Sequence, residues 1–483
     1  MLWIALFIPD LPLQLSLRGV DEAGATVVTD GPSNRPIIAG VNPVAREHGV
    51  RVAMSLAAAR ALAGDLIAVA RDRASEANAL QNLAAWAYQF SPSVVLESDS
   101  LIVEIESALT LHGGLAQVLA RMRQGASELG YRISLGVAPT PIAARLFARA
   151  RHRGITARTC TDPSLLSERL FDLPLDLFDW PDDALGKLRA LGVTRVGQCM
   201  ALPRDGLVQR FGVLANDLDR AHGRIPDPRP YFRPPESFHS RIELGFEVSD
   251  ASALQFPLRR VLRELEGYLR GRSAGVQQWQ LVLECVNRIT SRITFGTVSP
   301  ERSADRLLHL ARERLARTTL PTPALALSVI ADQCFPLQDR NLAWLPNPQQ
   351  QATQVDHLID RLSARLGAEH VFTLRSVDDH RPEKSWCRTA PGTKERHKAI
   401  PLPPGPRPLW LLNRPRALLT EDGQPLCQGK LECIAGPERI EAGEWDGQPA
   451  GRDYYVARSP NGETVWVYRE HRAPTWYLHG IFA

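Results

Sequence analysis

Lysine is scarce in this sequence. Of the 57 lysine and arginine residues in the 483-residue chain, five are lysines: Lys187, Lys384, Lys394, Lys398 and Lys430. Arginine therefore carries almost all the positive charge, and its planar guanidinium suits phosphate contacts. An excess of arginine over lysine reflects genome composition more often than it reflects phosphate binding. The formal net charge of +4 permits nucleic-acid binding without requiring it.

Features of secreted, zinc-binding and membrane-spanning proteins are also missing. The seven cysteines are scattered and none forms a Cys-x-x-Cys pair, which argues for a reducing compartment and against a zinc site. No apolar run approaches the ~18 residues of a membrane helix, and the N-terminus has neither the basic flank nor the cleavage site of a signal peptide. We therefore expect a cytoplasmic protein that makes no membrane contact.

No carboxylate occurs between Leu2 and Pro9. The segment LWIALFIPDLPLQ, residues 2–14, begins with an apolar run that Pro9, Asp10 and Pro12 end. A short apolar run closed by proline predicts a buried central strand. With 44% hydrophobic residues, a chain of this length can build three or more domain cores.

A strand, a helix start and an alanine-rich helix are predicted in residues 36–62. This region contains a set of residues in a characteristic order: Asn42, Ala45, Arg46, Gly49, Val50 and Met54. The order resembles the fingers of Y-family (translesion) DNA polymerases, and the segments 90–99 and 135–150 resemble the same family. The resemblance implies an α+β, multidomain, right-hand fold of palm, fingers, thumb and little finger, with a C-terminal extension.

The predicted domains follow the family order along the chain. In residues 233–333, the pattern strand-helix-strand-strand-helix-strand independently predicts a four-stranded sheet backed by two helices. The predicted boundaries are palm 1–19 and 76–165, fingers 20–75, helix-hairpin-helix-like thumb 166–232, little finger 233–333, clamp-binding linker 334–351, short helix 352–374, flexible linker 375–408 and partner-binding β module 409–483.

The palm carries apolar residues where the family has metal ligands. Aligned with the family, Ala5 and Phe7 take the two aspartate positions, and Ser100 replaces the glutamate that follows Asp99. Nucleotidyl transfer needs two metal ions ~3.5–4 Å apart, and magnesium needs oxygen ligands. We therefore predict a catalytically inactive palm with no metal or other cofactor, as in the non-catalytic family members of bacterial mutagenesis cassettes, whose N-terminal strand reads similarly.

An active translesion polymerase with displaced ligands remains the alternative. Its ligands would be Asp10, Asp99 and either Glu97 or Glu104. The resemblance also implies remnants of nucleotide binding at Arg46 and Arg145, although Pro43 stands where the family has a tyrosine.

DNA-binding positions are weaker predictions. Gly192 lies in a helix-hairpin-helix spacing, but the hairpin glycines of the family are replaced by Asp179, Trp180 and Pro181. Carboxylates there would repel phosphate, so we expect a weak grip at the thumb. Arg288 and Arg292, on little-finger strands, could contact phosphates, although an arginine in such a place is more often an ordinary surface residue.

The segment after the little finger loosely resembles a clamp-binding peptide. The candidate anchors are Asn341, Leu342, Ala343, Trp344 and Leu345, which would place two apolar side chains in a pocket of the sliding clamp (beta subunit). A linker that packs its own tryptophan is the alternative. The resemblance further implies DNA, an error-prone C-family DNA polymerase and a RecA-like accessory protein as partners in SOS-induced mutagenesis. A DNA-binding protein unrelated to the clamp is the third possibility.

Overall fold

The computed structural model describes residues 1–18, 24–32, 34–156, 159–337, 348–392, 405–473 and 475–482. The chain forms two compact units, Met1–Arg365 and Leu366–Ala483. Within the described residues, no helix is both long and apolar enough to cross a lipid bilayer.

The N-terminal part combines two sheets with six helices among its described residues. Its elements, in chain order, are β1 (Trp3–Phe7), α1 (Leu11–Leu17), β2 (Thr26–Asp30), β3 (Ile37–Val41), α2 (Pro43–Glu47), α3 (Leu56–Leu62), β4 (Ile67–Ala70), α4 (Arg73–Ala87), β5 (Val94–Leu96), β6 (Ser100–Glu104), α5 (Leu115–Glu128), β7 (Ser134–Ala138) and α6 (Pro141–His152).

The predicted N-terminal strand is a central strand of an antiparallel sheet, in the order β5-β6-β1-β7. One face of this sheet packs against α6 and the following helices, and the other packs against α4 and α5. A smaller sheet, in the order β3-β2-β4, corresponds to the predicted fingers. The second half of the segment 2–14 is not a strand but belongs to helix α1. Pro12 lies in the first turn of this helix, where proline is tolerated.

Four helices follow: α7 (Leu166–Phe171), α8 (Asp182–Ala190), α9 (Val196–Met200) and α10 (Arg204–Ala221). They share a hydrophobic core with α6. Next come β8 (Phe238–Val248), α11 (Gln255–Gly271), β9 (Ala274–Cys285), β10 (Thr290–Glu301), α12 (Ala304–Leu315), β11 (Ala324–Ala331), β12 (Phe335–Pro336) and α13 (Pro348–Leu366).

The four strands of the predicted sheet are present, and β12 adds a fifth strand by pairing with β9. The antiparallel order of the four is β10-β9-β11-β8, and α11 and α12 share the apolar core of the sheet. Buried and exposed residues alternate along the first seven positions of β8. This is the pattern of a strand that turns one face to the core. Helix α13 begins at residue 348, inside the predicted clamp-binding linker, so the predicted short helix starts earlier than expected.

The second unit is built from short antiparallel strands. They are β13 (Thr373–Ser376), β14 (Trp386–Thr389), β15 (Trp410–Glu421), β16 (Gln424–Leu426), β17 (Glu432–Ala442), β18 (Ala450–Arg458), β19 (Thr464–Glu470) and β20 (Trp476–Ile481). Six of them form one sheet in the order β16-β15-β20-β19-β18-β17, with an apolar cluster on each face. The α+β, multidomain fold with a C-terminal extension is thus confirmed.

The predicted flexible linker 375–408 is wrong for its described residues. Strands β13 and β14 pair there, and between them the Arg381 side chain is 2% exposed. Arg381 donates to Asp379 at 2.7 Å and to Asp446 at 2.8 Å. These charge-assisted bonds order a segment whose charge and proline content are typical of disorder.

Candidate functional site

The candidate site lies where β1 ends and β6 begins. Phe7 is opposite Ser100, and Ala5 is opposite Ile102. Ala5 is completely buried, whereas the Phe7 ring is half-buried with its centroid 5.4 Å from that of His152. A methyl and a phenyl group therefore occupy the two β1 positions that were predicted to align with metal ligands.

Asp99 precedes β6 and has both carboxylate oxygens engaged. Arg149 donates to Oδ2 at 2.5 Å, and the Ser100 hydroxyl donates to Oδ1 at 2.9 Å. The Arg149 guanidinium also lies 5.7 Å from the centroid of the Phe7 ring. Asp99 is therefore an ion-paired and hydrogen-bonded residue.

Helix α6 supplies the cations. Arg145 and Arg149 are four residues apart, which places them on one face of the helix. Arg149 donates to Asp179 at 2.6 Å and to the Leu177 carbonyl at 2.8 Å, and Arg145 lies 3.0 Å from Asp179. Asp179, which was predicted to replace a hairpin glycine and to repel phosphate, pairs with these two arginines of α6.

The pKa shifts of Asp179 and Arg149 have the directions expected for these ion pairs. Burial works to raise the pKa of Asp179, but the hydrogen bond from Arg149 and the charges of Arg145 and Arg149 outweigh it, so the pKa lies below its usual value. Burial works to lower the pKa of Arg149, but Asp179 and Asp99 outweigh burial, so this pKa lies above its usual value. Both groups are therefore charged at neutral pH.

A second carboxylate, Glu97, is neutralised in the same place. Its oxygens contact Arg145 at 3.5 Å and form an ion pair with Arg229, which also pairs with Asp227 at 3.0 Å. We call the whole group the carboxylate–arginine cluster; its members are Glu97, Asp99, Asp179, Asp227, Arg145, Arg149 and Arg229. Four carboxylates thus meet three guanidinium groups.

A cavity of about 240 Å³ opens beside this cluster. Its walls include Phe7 and the carboxylates Asp10, Glu76 and Asp99. The carboxylate of Glu76 is taken up by Arg71 in two hydrogen bonds of 2.7 and 2.8 Å, and Asp10 is solvent-exposed. In the described part of the chain, no three His, Cys, Asp or Glu side chains are grouped so that they could hold a metal ion.

Arg46, a predicted nucleotide-binding remnant, is exposed on α2 and donates to the Val41 carbonyl at 3.2 Å. The helix is positioned by buried Asn42, whose side chain accepts from the Ala45 amide at 2.8 Å and the Thr26 amide at 3.0 Å. The structure does not bring Arg46 into contact with Arg145, which belongs to the carboxylate–arginine cluster. Nucleotide contacts by either residue stay predictions.

The predicted DNA contacts lie apart from this site. Gly192 follows α8 with φ of +75°, and its amide donates to the Arg189 carbonyl at 2.9 Å. Arg292 is exposed on β10, but Arg288 lies in the turn before it, not on a strand as predicted. The clamp-binding candidates Asn341–Leu345 lie outside the described residues.

Arg149, Asp227 and Arg229 are the members of the carboxylate–arginine cluster that the sequence analysis missed. The spacing of four between Arg145 and Arg149 was a signal for the first of them, because it places two cations on one helix face. Arg229 meets Glu97 from 132 residues away. No local pattern marks such a pair.

Known proteins resemble this chain at two levels. The family model of impB/mucB/samB proteins matches residues 22–149. Protein ImuB from Caulobacter vibrioides is 27% identical over 454 residues, covering 88% of this chain and 97% of that protein. DNA polymerase IV from Dehalococcoides mccartyi is 27% identical over 264 residues, covering 52% of this chain and 66% of that protein.

Among solved structures, DinB from Sulfolobus solfataricus aligns with a TM-score of 0.39 at 15% identity, covering 70% of this chain and 100% of that one. The family domain and the ImuB relative, which matches both units of the chain, confirm the predicted relationship. Over most of its length the chain is therefore similar to an ImuB protein, and its residues 22–149 match the impB/mucB/samB family model.

Proposed function

We propose that this chain is a catalytically inactive, polymerase-shaped scaffold in SOS-induced mutagenic translesion synthesis. One observation carries the proposal: Arg149 holds Asp99, the carboxylate at the strand end, while Ala5 and Phe7 lie beside it on β1. In the alignment with the family, these three positions are the ones that hold the metal pair.

The chemistry of these side chains supports the proposal. Magnesium binds oxygen at ~2.0–2.1 Å, and neither a methyl nor a phenyl group offers a lone pair. The Arg149 guanidinium already places a positive charge 2.5 Å from the Asp99 oxygen that would bind the metal. A divalent cation would have to displace that guanidinium and leave it next to a like charge.

An active polymerase with displaced ligands is the second candidate, favoured by the three carboxylates around the 240 Å³ cavity. Two of its proposed ligands fit poorly. Glu104 lies at the far end of β6, four residues or ~13 Å along the strand from Ser100. Glu97 is paired with Arg145 and Arg229.

Primer extension separates the two candidates. We expect the full-length protein to give no extension above background with Mg²⁺ or Mn²⁺, and Asp99→Ala to change nothing, because Asp99 serves an ion pair rather than a metal. A DNA polymerase IV serves as the positive control. Extension that Asp99→Ala abolishes, while Asp65→Ala at an exposed fingers position leaves it intact, would establish the active-polymerase alternative.

The partners belong to the same proposal. The protein binds DNA and the sliding clamp in the cytoplasm and recruits an error-prone C-family polymerase and a RecA-like accessory protein. Similarity to ImuB along 88% of the chain supports this, whereas similarity to a DNA polymerase IV covers 52% of it. We assign the partner contacts to the second unit, which contains the six-stranded sheet.

Clamp binding is tested at the predicted peptide. We expect the double variant Leu342→Ala/Trp344→Ala to lose about tenfold or more in affinity for the sliding clamp, because apolar anchors dominate such contacts. Surface plasmon resonance on immobilised clamp measures this. The neighbouring pair Gln349→Ala/Gln350→Ala is the control, and equal binding by both double variants would remove the clamp assignment.

A further inference from the structure

An open groove of about 850 Å³ runs between α5 and α11. We call it the arginine groove, because four guanidinium groups line it: Arg121, Arg263, Arg270 and Arg302. Glu128 and Glu266 are the carboxylates on its walls. The groove therefore has two more cationic than anionic side chains.

Four other cavities in the described part of the chain lack this excess of positive charge. In each of the four, the carboxylates equal or outnumber the arginines. The first has the carboxylates Asp10, Glu76 and Asp99 and one arginine, Arg71. The second has Asp72, Glu76 and Glu243 with Arg18, Arg71 and Arg241, and the third has Asp176 with Arg189. The fourth has Glu243, Glu247 and Glu284 with Arg241 and Arg288. A polyanion is thus favoured in the arginine groove and disfavoured at the palm strand end.

The groove arginines differ in the charges that surround them. Arg121 is exposed on α5 and makes no ion pair with any residue that the structure describes. Burial lowers the pKa of Arg302, and the nearby charge of Arg270 lowers it further, despite Glu266 and Glu301. By contrast, Arg263 and Arg270 are each paired with Glu266, at 2.8 and 2.7 Å.

The groove is distinct from the candidate site. Glu76, which lines the palm cavity, and Trp86, which lines the groove, lie on the same helix α4. They are ten residues apart, which is ~15 Å along a helix. A ligand in the groove would therefore not depend on the carboxylate–arginine cluster.

The walls also offer flat apolar surfaces. Tyr88 and His112 line the groove and are half-exposed, and neighbouring Leu111 is 82% exposed. The His112 ring is held in place by a contact of 3.1 Å between its Nε2 and the Phe90 carbonyl. Rings beside a row of cations suit unpaired bases joined by phosphates, whereas a duplex hides its bases.

We propose that the arginine groove binds single-stranded DNA, with its phosphates on the guanidinium groups and its bases along Tyr88 and His112. This goes beyond the proposed function, which requires DNA binding but does not locate it on this face. The inference fails or stands independently of whether the palm is active.

Fluorescence anisotropy with a labelled oligothymidylate of about 20 nucleotides tests the inference on the full-length protein. We expect Arg121→Gln/Arg270→Gln to weaken binding roughly tenfold and to reduce the slope of log affinity against log salt by about 1.4, which is two contacts at ~0.7 each. The matched control is Arg123→Gln/Arg259→Gln, which removes two exposed arginines from the same two helices outside the groove. It should bind like the wild type.

Equal losses in both double variants would overturn the inference, because the effect would then follow net charge alone. So would a duplex of the same length that binds as tightly and with the same sensitivity to Arg121→Gln/Arg270→Gln. The single variant Arg121→Gln guards against misfolding, because Arg121 has no described ion pair to lose. It should weaken binding by several-fold without changing the melting temperature, and unchanged binding would contradict the inference.

Discussion

Replacing Glu264 by alanine is expected to lower the free energy of unfolding of the 1–365 unit by about 3–5 kcal/mol. Glu264 lies on α11, its side chain is 0% exposed, and it forms an ion pair with Arg18, which is 3% exposed. Without Glu264, the guanidinium would remain buried with no opposite charge. Urea unfolding followed by tryptophan fluorescence measures the loss.

The surroundings explain why Arg18 cannot escape to solvent. Its Nε donates to the Leu129 carbonyl at 2.9 Å, and its guanidinium lies 4.5 Å from the centroid of the Tyr131 ring. Burial works to lower the pKa of Arg18, but Glu264 and Tyr131 raise it, so the side chain stays charged. The Ser240 hydroxyl donates to Glu264 and completes the buried group.

Two variants test this explanation. Lys187→Ala breaks an ion pair whose members are 69% and 71% exposed, and it should change the free energy of unfolding by less than about 1 kcal/mol. Arg18→Met/Glu264→Leu should recover much of the loss, since apolar replacements leave no buried charge. The explanation is wrong if Glu264→Ala costs no more than Lys187→Ala.

Gly136→Ala should destabilise the same unit by about 1–3 kcal/mol or more. Gly136 lies on β7 opposite Ala5, where the strand approaches α6 most closely. A Cβ at this position would overlap the Ala144 carbonyl oxygen and the Ala148 amide nitrogen, which are backbone atoms and cannot rotate away. The substitution would push α6, with Arg145 and Arg149, away from the sheet.

A second glycine provides a control of opposite sign. Gly186 lies within α8 and is exposed, and a Cβ there would meet no atom within 4 Å. Gly186→Ala should therefore raise the free energy of unfolding by about 0.5–1 kcal/mol, because alanine favours the helix. Urea unfolding measures both variants, and a Gly136→Ala protein as stable as the wild type would refute the steric argument.

The sequence predicted those parts of the fold that depend on local pattern. The apolar run at 2–8, the alternation along β8 and the order of elements in 233–333 each correspond to an observed element. Periodicity is a direct consequence of one buried face, so it can be read without tertiary information. The extent of α1 was missed because proline in the first helical turn looks like a strand end.

Partners that are distant in sequence could not be predicted. Asp179 was expected to repel phosphate at a weak DNA-binding hairpin, but its pairing with two arginines about thirty residues earlier in the chain was not foreseen. Arg381 was expected in a flexible linker, yet its carboxylate partner Asp446 lies 65 residues away. Composition indicates whether a charge is present, but only the fold determines which opposite charge it meets.

The Arg18–Glu264 pair also has a consequence for protein engineering. The two residues belong to the predicted palm and little finger, 246 positions apart. A hybrid made by grafting residues 233–333 of this chain onto a related polymerase would separate Glu264 from Arg18. The Glu264 carboxylate would then be buried without its ion-pair partner. A successful graft would have to carry residue 18 with it, so the two predicted domains should be inherited as a pair.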